Sequence, residues 1–162
     1  MVSIELPDEA ATRRLGERLG QLMAAGDVVL LTGDLGAGKT TLVQGLAAGL
    51  GVSDPVVSPT FALVHELAGR VSLRHLDLYR LTGQDLEHLG AEEWFEPDAV
   101  VAVEWAERLG SFLPAERLEI ELVPAGTGRQ ARMEAAGERA RALLTALLSE
   151  ERRQGDGGGG VS

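Results

Sequence analysis

The feature that most constrains this chain is an apolar run that leads into a glycine-rich turn. Residues 27–32 read DVVLLT, a nearly continuous apolar run of the kind found in a strand buried on both faces of a parallel sheet. Residues 33–40 then read GDLGAGKT, and apolar side chains recur at helical spacing over residues 39–49. A buried strand, a glycine turn and a helix in this order predict an α/β fold.

The turn matches the phosphate-binding pattern G-x-x-x-x-G-K-[ST] at every fixed position. Backbone N–H groups in such a turn form an anion nest, and the helix start adds partial positive charge. Lys39 is placed to reach the β- and γ-phosphates, and the Thr40 hydroxyl to bind Mg²⁺. Chance matches in a chain of this composition number on the order of 0.001 to 0.002. The predicted nucleotide contacts here are Gly33, Asp34, Leu35, Gly36, Ala37, Gly38, Lys39, Thr40 and Thr41.

Lysine usage narrows the choice of nucleotide. Lys39 is the only lysine, and the remaining basic residues are all arginine. The chain therefore lacks the N-K-x-D element that selects guanine in GTPases, so we expect ATP. An ammonium point charge also suits this position better than the planar fork of arginine.

Composition excludes several other functions. The absence of cysteine rules out disulfides, thiolate metal sites and a cysteine nucleophile. A net charge of −10 opposes direct binding of DNA or RNA through phosphate contacts. Because neither a secretory signal nor a membrane-spanning run is visible, we expect a cytoplasmic protein without membrane contact.

The remaining patterns predict how the chain is organised. We expect one P-loop NTPase-like domain over residues 1–149, a three-layer α/β sandwich around a mixed, mainly parallel central sheet. A glycine-rich tail, residues 150–162, is expected to be disordered. The predicted elements are a strand over Val2–Leu6, a helix from Pro7 to about Ala25, a hairpin of Phe61–Leu67 with Arg70–Tyr79, an antiparallel pair of Arg117–Val123 with Gln130–Ala135, and a helix over Glu138–Leu148.

Two carboxylates end predicted strands and are candidates to complete the site. Asp77 closes VSLRHLD, and Glu104 closes the more apolar run VVAVE, the usual setting of a Mg²⁺-binding acid in such domains. Thr60 lies on the loop after the phosphate-site helix, where a switch threonine could sense the γ-phosphate. Trp105 is expected in the core, bordering the site. The three histidines lack metal-ligand spacing and are expected to be strand or surface residues.

Four segments in order carry a family resemblance. GDLGAGKTT (residues 33–41), SPTF (58–61), HLDLYRL (75–81) and VEWAER (103–108) resemble the TsaE family of bacterial ATPases, over about Pro7 to Leu148. The resemblance implies an accessory ATPase for threonylcarbamoyl modification of the adenosine beside the anticodon of certain tRNAs. Its implied partners are TsaD and TsaB, so tRNA would be met only through the complex.

The resemblance also implies roles for single residues. Residues 36–41 would bind phosphates, Thr40 and Glu104 would hold Mg²⁺, and Asp77, a further candidate metal ligand, would support hydrolysis. Thr60 and Trp105 would belong to switch elements. Peripheral nucleotide contacts would come from Pro7, Thr12 and Arg132. Leu67 stands where family members often carry an aromatic residue, which removes an aromatic contact near the nucleotide or partner.

Two other functions stay open from the residues alone. A small-molecule kinase on the same scaffold would need an acceptor pocket and a base, for which Asp77 is a candidate. A nucleotide-gated binding module would use ATP occupancy to set partner affinity without turnover.

Overall fold

The computed structural model describes residues 1–34, 36–56 and 64–159. Helices and strands alternate through most of this length, as the apolar periodicity predicts. The elements are β1 (Val2–Leu6), α1 (Glu9–Leu22), β2 (Val28–Thr32), α2 (Lys39–Gly49), β3 (Val64–Leu67), β4 (Leu73–Asp77), α3 (Gly83–Leu89), a first 3₁₀ segment (Ala91–Phe95), β5 (Val100–Glu104), a second 3₁₀ segment (Ala106–Phe112), β6 (Arg117–Ala125), β7 (Gly128–Ala136) and α4 (Glu138–Gly159).

The described strands form a seven-stranded sheet in the order β1-β7-β6-β2-β5-β4-β3. The inner pairs β6–β2, β2–β5 and β5–β4 are parallel. The outer pairs β1–β7, β7–β6 and β4–β3 are antiparallel, so only β3 and β7 run against the other strands. The predicted α/β class with a mixed, mainly parallel sheet is confirmed. Both predicted antiparallel pairings are confirmed within the described residues, and residues 61–63 of the predicted hairpin lie outside them.

Helical layers cover the two faces of this sheet. On one face α1, α2 and α4 bury Leu15, Leu46 and Leu147 against the strands. On the other, α3 and the two 3₁₀ segments bury Leu86 and Leu109. Helices on both faces explain why β2 and β5 carry continuous apolar runs, since neither face of these strands meets water.

Glycines let α1 and α2 pack with their backbones in close contact. A Cβ on Gly45 would lie 2.0 Å from the Arg13 carbonyl oxygen, and one on Gly16 would lie 2.2 Å from that of Leu42. No larger residue fits without moving a backbone. Close packing against α1 stabilises α2 along its predicted length, although glycine weakens isolated helices.

Two helix ends differ from expectation. The first helix stops at Leu22 instead of about Ala25, because the chain turns where the Asp27 carboxylate accepts from the Ala24 N–H at 2.8 Å. At the other end of the chain, α4 passes Leu148 and runs to Gly159. The described helix therefore extends past its predicted end at Leu148. An ion pair between Glu151 of α4 and Arg18 of α1 stabilises this extension.

No helix within the described ranges is both long and apolar enough to cross a membrane.

Candidate functional site

Three parallel strands end together at one edge of the sheet and bring the predicted site residues close. The central strand β2 runs straight into the glycine-rich loop, residues 33–38, and then into α2. Glu104 is the last residue of β5, and Asp77, the last of β4, is its register partner. Ligand sites of open α/β sheets lie at the carboxyl ends of their strands.

The glycine-rich loop presents the start of α2 to an incoming ligand. Gly38 is the N-cap residue in a left-handed conformation with φ of 105°, and it has no side chain to occupy the helix end. The first N–H groups of a helix have no intrahelical acceptors. No acidic residue stands in the first turn of α2. The arrangement therefore favours an anionic ligand.

Lys39 is buried at this helix start and faces back into the loop. Its Nζ donates to the Gly33 carbonyl and lies 3.4 Å from that of Asp34. Burial lowers the pKa of Lys39, and the charge of four nearby carboxylates opposes that shift. The ammonium group is thus held among carbonyl oxygens that a more strongly charged acceptor can replace.

The indole ring of Trp105 contacts the same ammonium group. The Lys39 Nζ lies 3.6 Å from the centre of the indole ring, within the range of a cation–π contact. Tyr79 packs against this ring with a centroid distance of 4.8 Å. Trp105 has φ of 59°, a rare value for a bulky residue that is found most often at functional sites.

The Glu104 carboxylate is buried and accepts a hydrogen bond on each oxygen. Its Oε1 accepts from the Thr40 hydroxyl at 3.0 Å, and its Oε2 lies 2.6 Å from His75 Nε2. Sequence reasoning missed His75. The available signal was its position two residues before Asp77, because alternate residues of a strand point to the same face.

Asp77 stands beside this carboxylate at the next strand end. Burial raises the pKa of Asp77, the Tyr79 N–H at 3.1 Å opposes the shift, and the charge of Glu104 adds to it. Asp77 is therefore a stronger proton acceptor than an ordinary surface aspartate.

A cavity of about 350 Å³ opens beside the glycine-rich loop. Thr12 of α1, Thr41 of α2 and Arg129 of β7 contribute to its lining. Arg129 donates from Nε to the Ala37 carbonyl and from Nη2 to the Gly36 carbonyl, both at 3.2 Å. Strand β7 and helices α1 and α2 thus meet the glycine-rich loop at one cavity.

Comparison with known proteins agrees with this architecture. The family model described as "Threonylcarbamoyl adenosine biosynthesis protein TsaE" matches residues 6–132. This chain belongs to the TsaE family. A relative named tRNA threonylcarbamoyladenosine biosynthesis protein TsaE, from Nostoc sp., is 51% identical over 114 residues, which cover 67% of this chain and 70% of the relative. The Bacillus subtilis protein of that name is 40% identical over 143 residues, covering 87% and 89%.

A solved structure extends the likeness to the fold. The crystal structure of YdiB from Bacillus subtilis aligns with a TM-score of 0.79 at 32% identity and covers 93% of this chain and 95% of its own. The TsaE resemblance inferred from four short motifs is thereby confirmed.

The structure does not bring Arg132 to the glycine-rich loop of this TsaE member. Arg132 lies an odd number of residues after Arg129 on β7, so its side chain points to the opposite face of the sheet. There it donates to the Gln130 side chain at 3.1 Å and pairs with Glu121 at 3.7 Å. Among the described residues of β7, Arg129 contacts the glycine-rich loop, whereas the resemblance implied Arg132 as a peripheral nucleotide contact.

The remaining predicted residues fall in three places. Thr12 is buried, 3.7 Å from where a Cβ on Gly38 would stand. The Pro7 backbone packs against Gly128, which lines the cavity. Leu67 pairs with Leu73, at the end of the β3–β4 hairpin away from Asp77. Leu35 and Thr60 lie outside the described residues.

Proposed function

We propose that this chain is a Mg²⁺-dependent ATPase that acts as an accessory subunit in the threonylcarbamoyl modification of tRNA. Its partners would be TsaD and TsaB. The observation that carries the proposal is the meeting of Lys39, Thr40 and Glu104 at the start of α2. Membership of the TsaE family supplies the pathway, because the relatives are named for threonylcarbamoyladenosine biosynthesis.

The nucleotide would enter with its phosphates on the glycine-rich loop. Lys39 would exchange its carbonyl acceptors for phosphate oxygens, a stronger charge-assisted interaction. The cavity beside Thr12 and Arg129 leaves room for the rest of the nucleotide. The absence of an N-K-x-D element from the sequence favours ATP over GTP.

The donor set fits magnesium. A hydroxyl on Thr40 and carboxylates on Glu104 and Asp77 are hard oxygen ligands, the type that Mg²⁺ prefers. Each Glu104 oxygen keeps a second lone pair free for a cation. Within the described ranges, no three His, Cys, Asp or Glu side chains converge to hold a metal by themselves, which suits an ion that also binds phosphate and water. When bound, Mg²⁺ would neutralise charge on the β- and γ-phosphates.

Asp77 would take part in turnover. It would accept a hydrogen bond, and then a proton, from the attacking water, since burial makes it a better proton acceptor. Arg129 is engaged with loop carbonyls, so a partner would supply further positive charge for the transition state. The net charge of −10 favours contact with tRNA through partners over direct binding.

The test is ATP hydrolysis by the purified chain, alone and with TsaD and TsaB, with Lys39→Ala as the blank. We expect slow hydrolysis that depends on Lys39 and rises when both partners are present. Hydrolysis indifferent to the partners would contradict the accessory role, and transfer of labelled γ-phosphate to a metabolite would favour a kinase. A Glu104→Gln chain that supports full tRNA modification without hydrolysis would favour a nucleotide-gated module.

A further inference from the structure

His75 is a fully buried imidazole whose polar contact in the described structure is made with Glu104. It lies on β4 between Leu73 and Asp77 and points, like them, to the face covered by α1 and α2. Its register partner on β5 is Ala102, whose small side chain leaves space for the ring. The local packing thus directs the imidazole toward the end of β5.

The direction of this hydrogen bond follows from the form of Glu104 that binds a cation, which is the ionised carboxylate. In that form the carboxylate only accepts hydrogen bonds, so the hydrogen lies on His75 Nε2 and is donated to Glu104 Oε2. The other ring nitrogen, Nδ1, is buried and has no hydrogen-bond partner among the described residues. Burying an unpaired polar atom costs free energy, and an apolar side chain would fill this place without that cost.

The two donors on Glu104 differ in what they can do when a cation is present. Thr40 is itself a candidate Mg²⁺ ligand, so its hydroxyl would give lone-pair density to the cation as well as hydrogen bonding to the carboxylate. In the described structure, His75 has no comparable second role as a cation ligand. Its bond at 2.6 Å is the contact that continues to orient the carboxylate.

We propose that His75 is a positioning residue that holds the Glu104 carboxylate in the orientation in which it receives Mg²⁺. This role rests on the proposed function, since it presumes that Mg²⁺ binds at Glu104. Groups that orient metal ligands commonly affect metal affinity by about 10- to 100-fold when they are removed.

A matched pair of variants separates the hydrogen bond from the packing. His75→Gln keeps an N–H donor at similar reach, whereas His75→Met has similar length and no donor. Affinity for a fluorescent, non-hydrolysable ATP analogue is measured with Mg²⁺ and with EDTA, and bound Mn²⁺ is counted by electron paramagnetic resonance. His65→Met serves as the control, because it makes the same substitution at the histidine that pairs with His75 across the β3–β4 hairpin.

We expect His75→Met to weaken binding by about 10-fold or more in Mg²⁺ and to leave binding in EDTA within about twofold. His75→Gln should recover most of the loss, and His65→Met should change neither value. A His75→Met chain with wild-type Mg²⁺ dependence, or with equal losses in Mg²⁺ and EDTA, would overturn the positioning role and leave the proposed function standing.

A different result, obtained on the wild-type protein, would contradict the proposed function itself. Wild-type protein whose nucleotide affinity does not respond to Mg²⁺ would overturn both proposals. Thermal unfolding checks that each variant is folded. If His75→Met does not fold, His75→Asn replaces it, because its shorter amide stops short of Glu104, and the same difference from His75→Gln is expected.

Discussion

Removing the Arg129 side chain tests how β7 supports the glycine-rich loop. Its guanidinium donates to the carbonyls of Ala37 and Gly36, each at 3.2 Å. A hydrogen bond from a charged donor contributes about 1.5–3 kcal/mol when buried. Arg129 is half-buried, and solvent screening reduces this, so we take about 1–2 kcal/mol for both bonds together. Arg129→Ala should therefore weaken ATP binding by roughly 5- to 30-fold.

Calorimetric titration with a non-hydrolysable ATP analogue in Mg²⁺ measures this loss. Arg132→Ala is the matched control, since it removes the same charge from the same strand on the opposite face of the sheet. We expect its affinity to stay within about twofold of wild type, because Arg132 is exposed on the other face of the sheet and salt screens exposed charges. Thermal unfolding verifies that both variants are folded.

The outcome can refute the structural argument directly. Equal weakening by the two variants would mean that net charge, and not the loop contact, sets the affinity. A loss confined to Arg132→Ala would restore the original sequence prediction and contradict the placement of Arg129 at the loop.

Three further predictions follow from packing, burial and ring contact. Gly45→Ala should lower the free energy of unfolding in urea by about 1–3 kcal/mol through overpacking against α1, although alanine favours helices by about 1 kcal/mol; an unchanged or higher midpoint would contradict the close helix contact. Asp77→Asn should raise the melting temperature at pH 7. Burial raises the pKa of the Asp77 carboxyl in the folded state, so the folded protein becomes less stable as pH rises from the unfolded-state pKa through the folded-state pKa. Asparagine does not ionise and avoids this loss. That gain should fade as the pH falls below the raised pKa, and a constant difference between pH 4 and pH 8 would argue against burial as its cause. Because the Trp105 ring lies 3.6 Å from the Lys39 Nζ, ATP should change tryptophan fluorescence in a Trp94→Phe chain and leave it unchanged in Trp105→Phe; the reverse pattern would separate Trp105 from the site.

Local patterns in the sequence were sufficient to predict much of this protein. The apolar run over residues 27–32 and the glycine turn after it predict β2, the loop and α2, because strand burial and helix capping depend on neighbouring residues. Asp77 and Glu104 could be named as candidates to complete the site, because each closes a predicted strand. The TsaE family could be inferred from four motifs in order.

Contacts between distant residues required the tertiary structure. Arg129 reaches the loop and Arg132 does not, because strand register decides which face of β7 meets the loop. The bond between His75 and Glu104 depends on β4 lying beside β5 in the sheet, which no local pattern specifies. The extension of α4 likewise depends on packing beside α1. Sequence by itself determined the phosphate-site motif and the two strand-end carboxylates, because chemistry and local propensity reside in short segments. Tertiary structure alone decided which of those groups touch, because that depends on how separate strands and helices align.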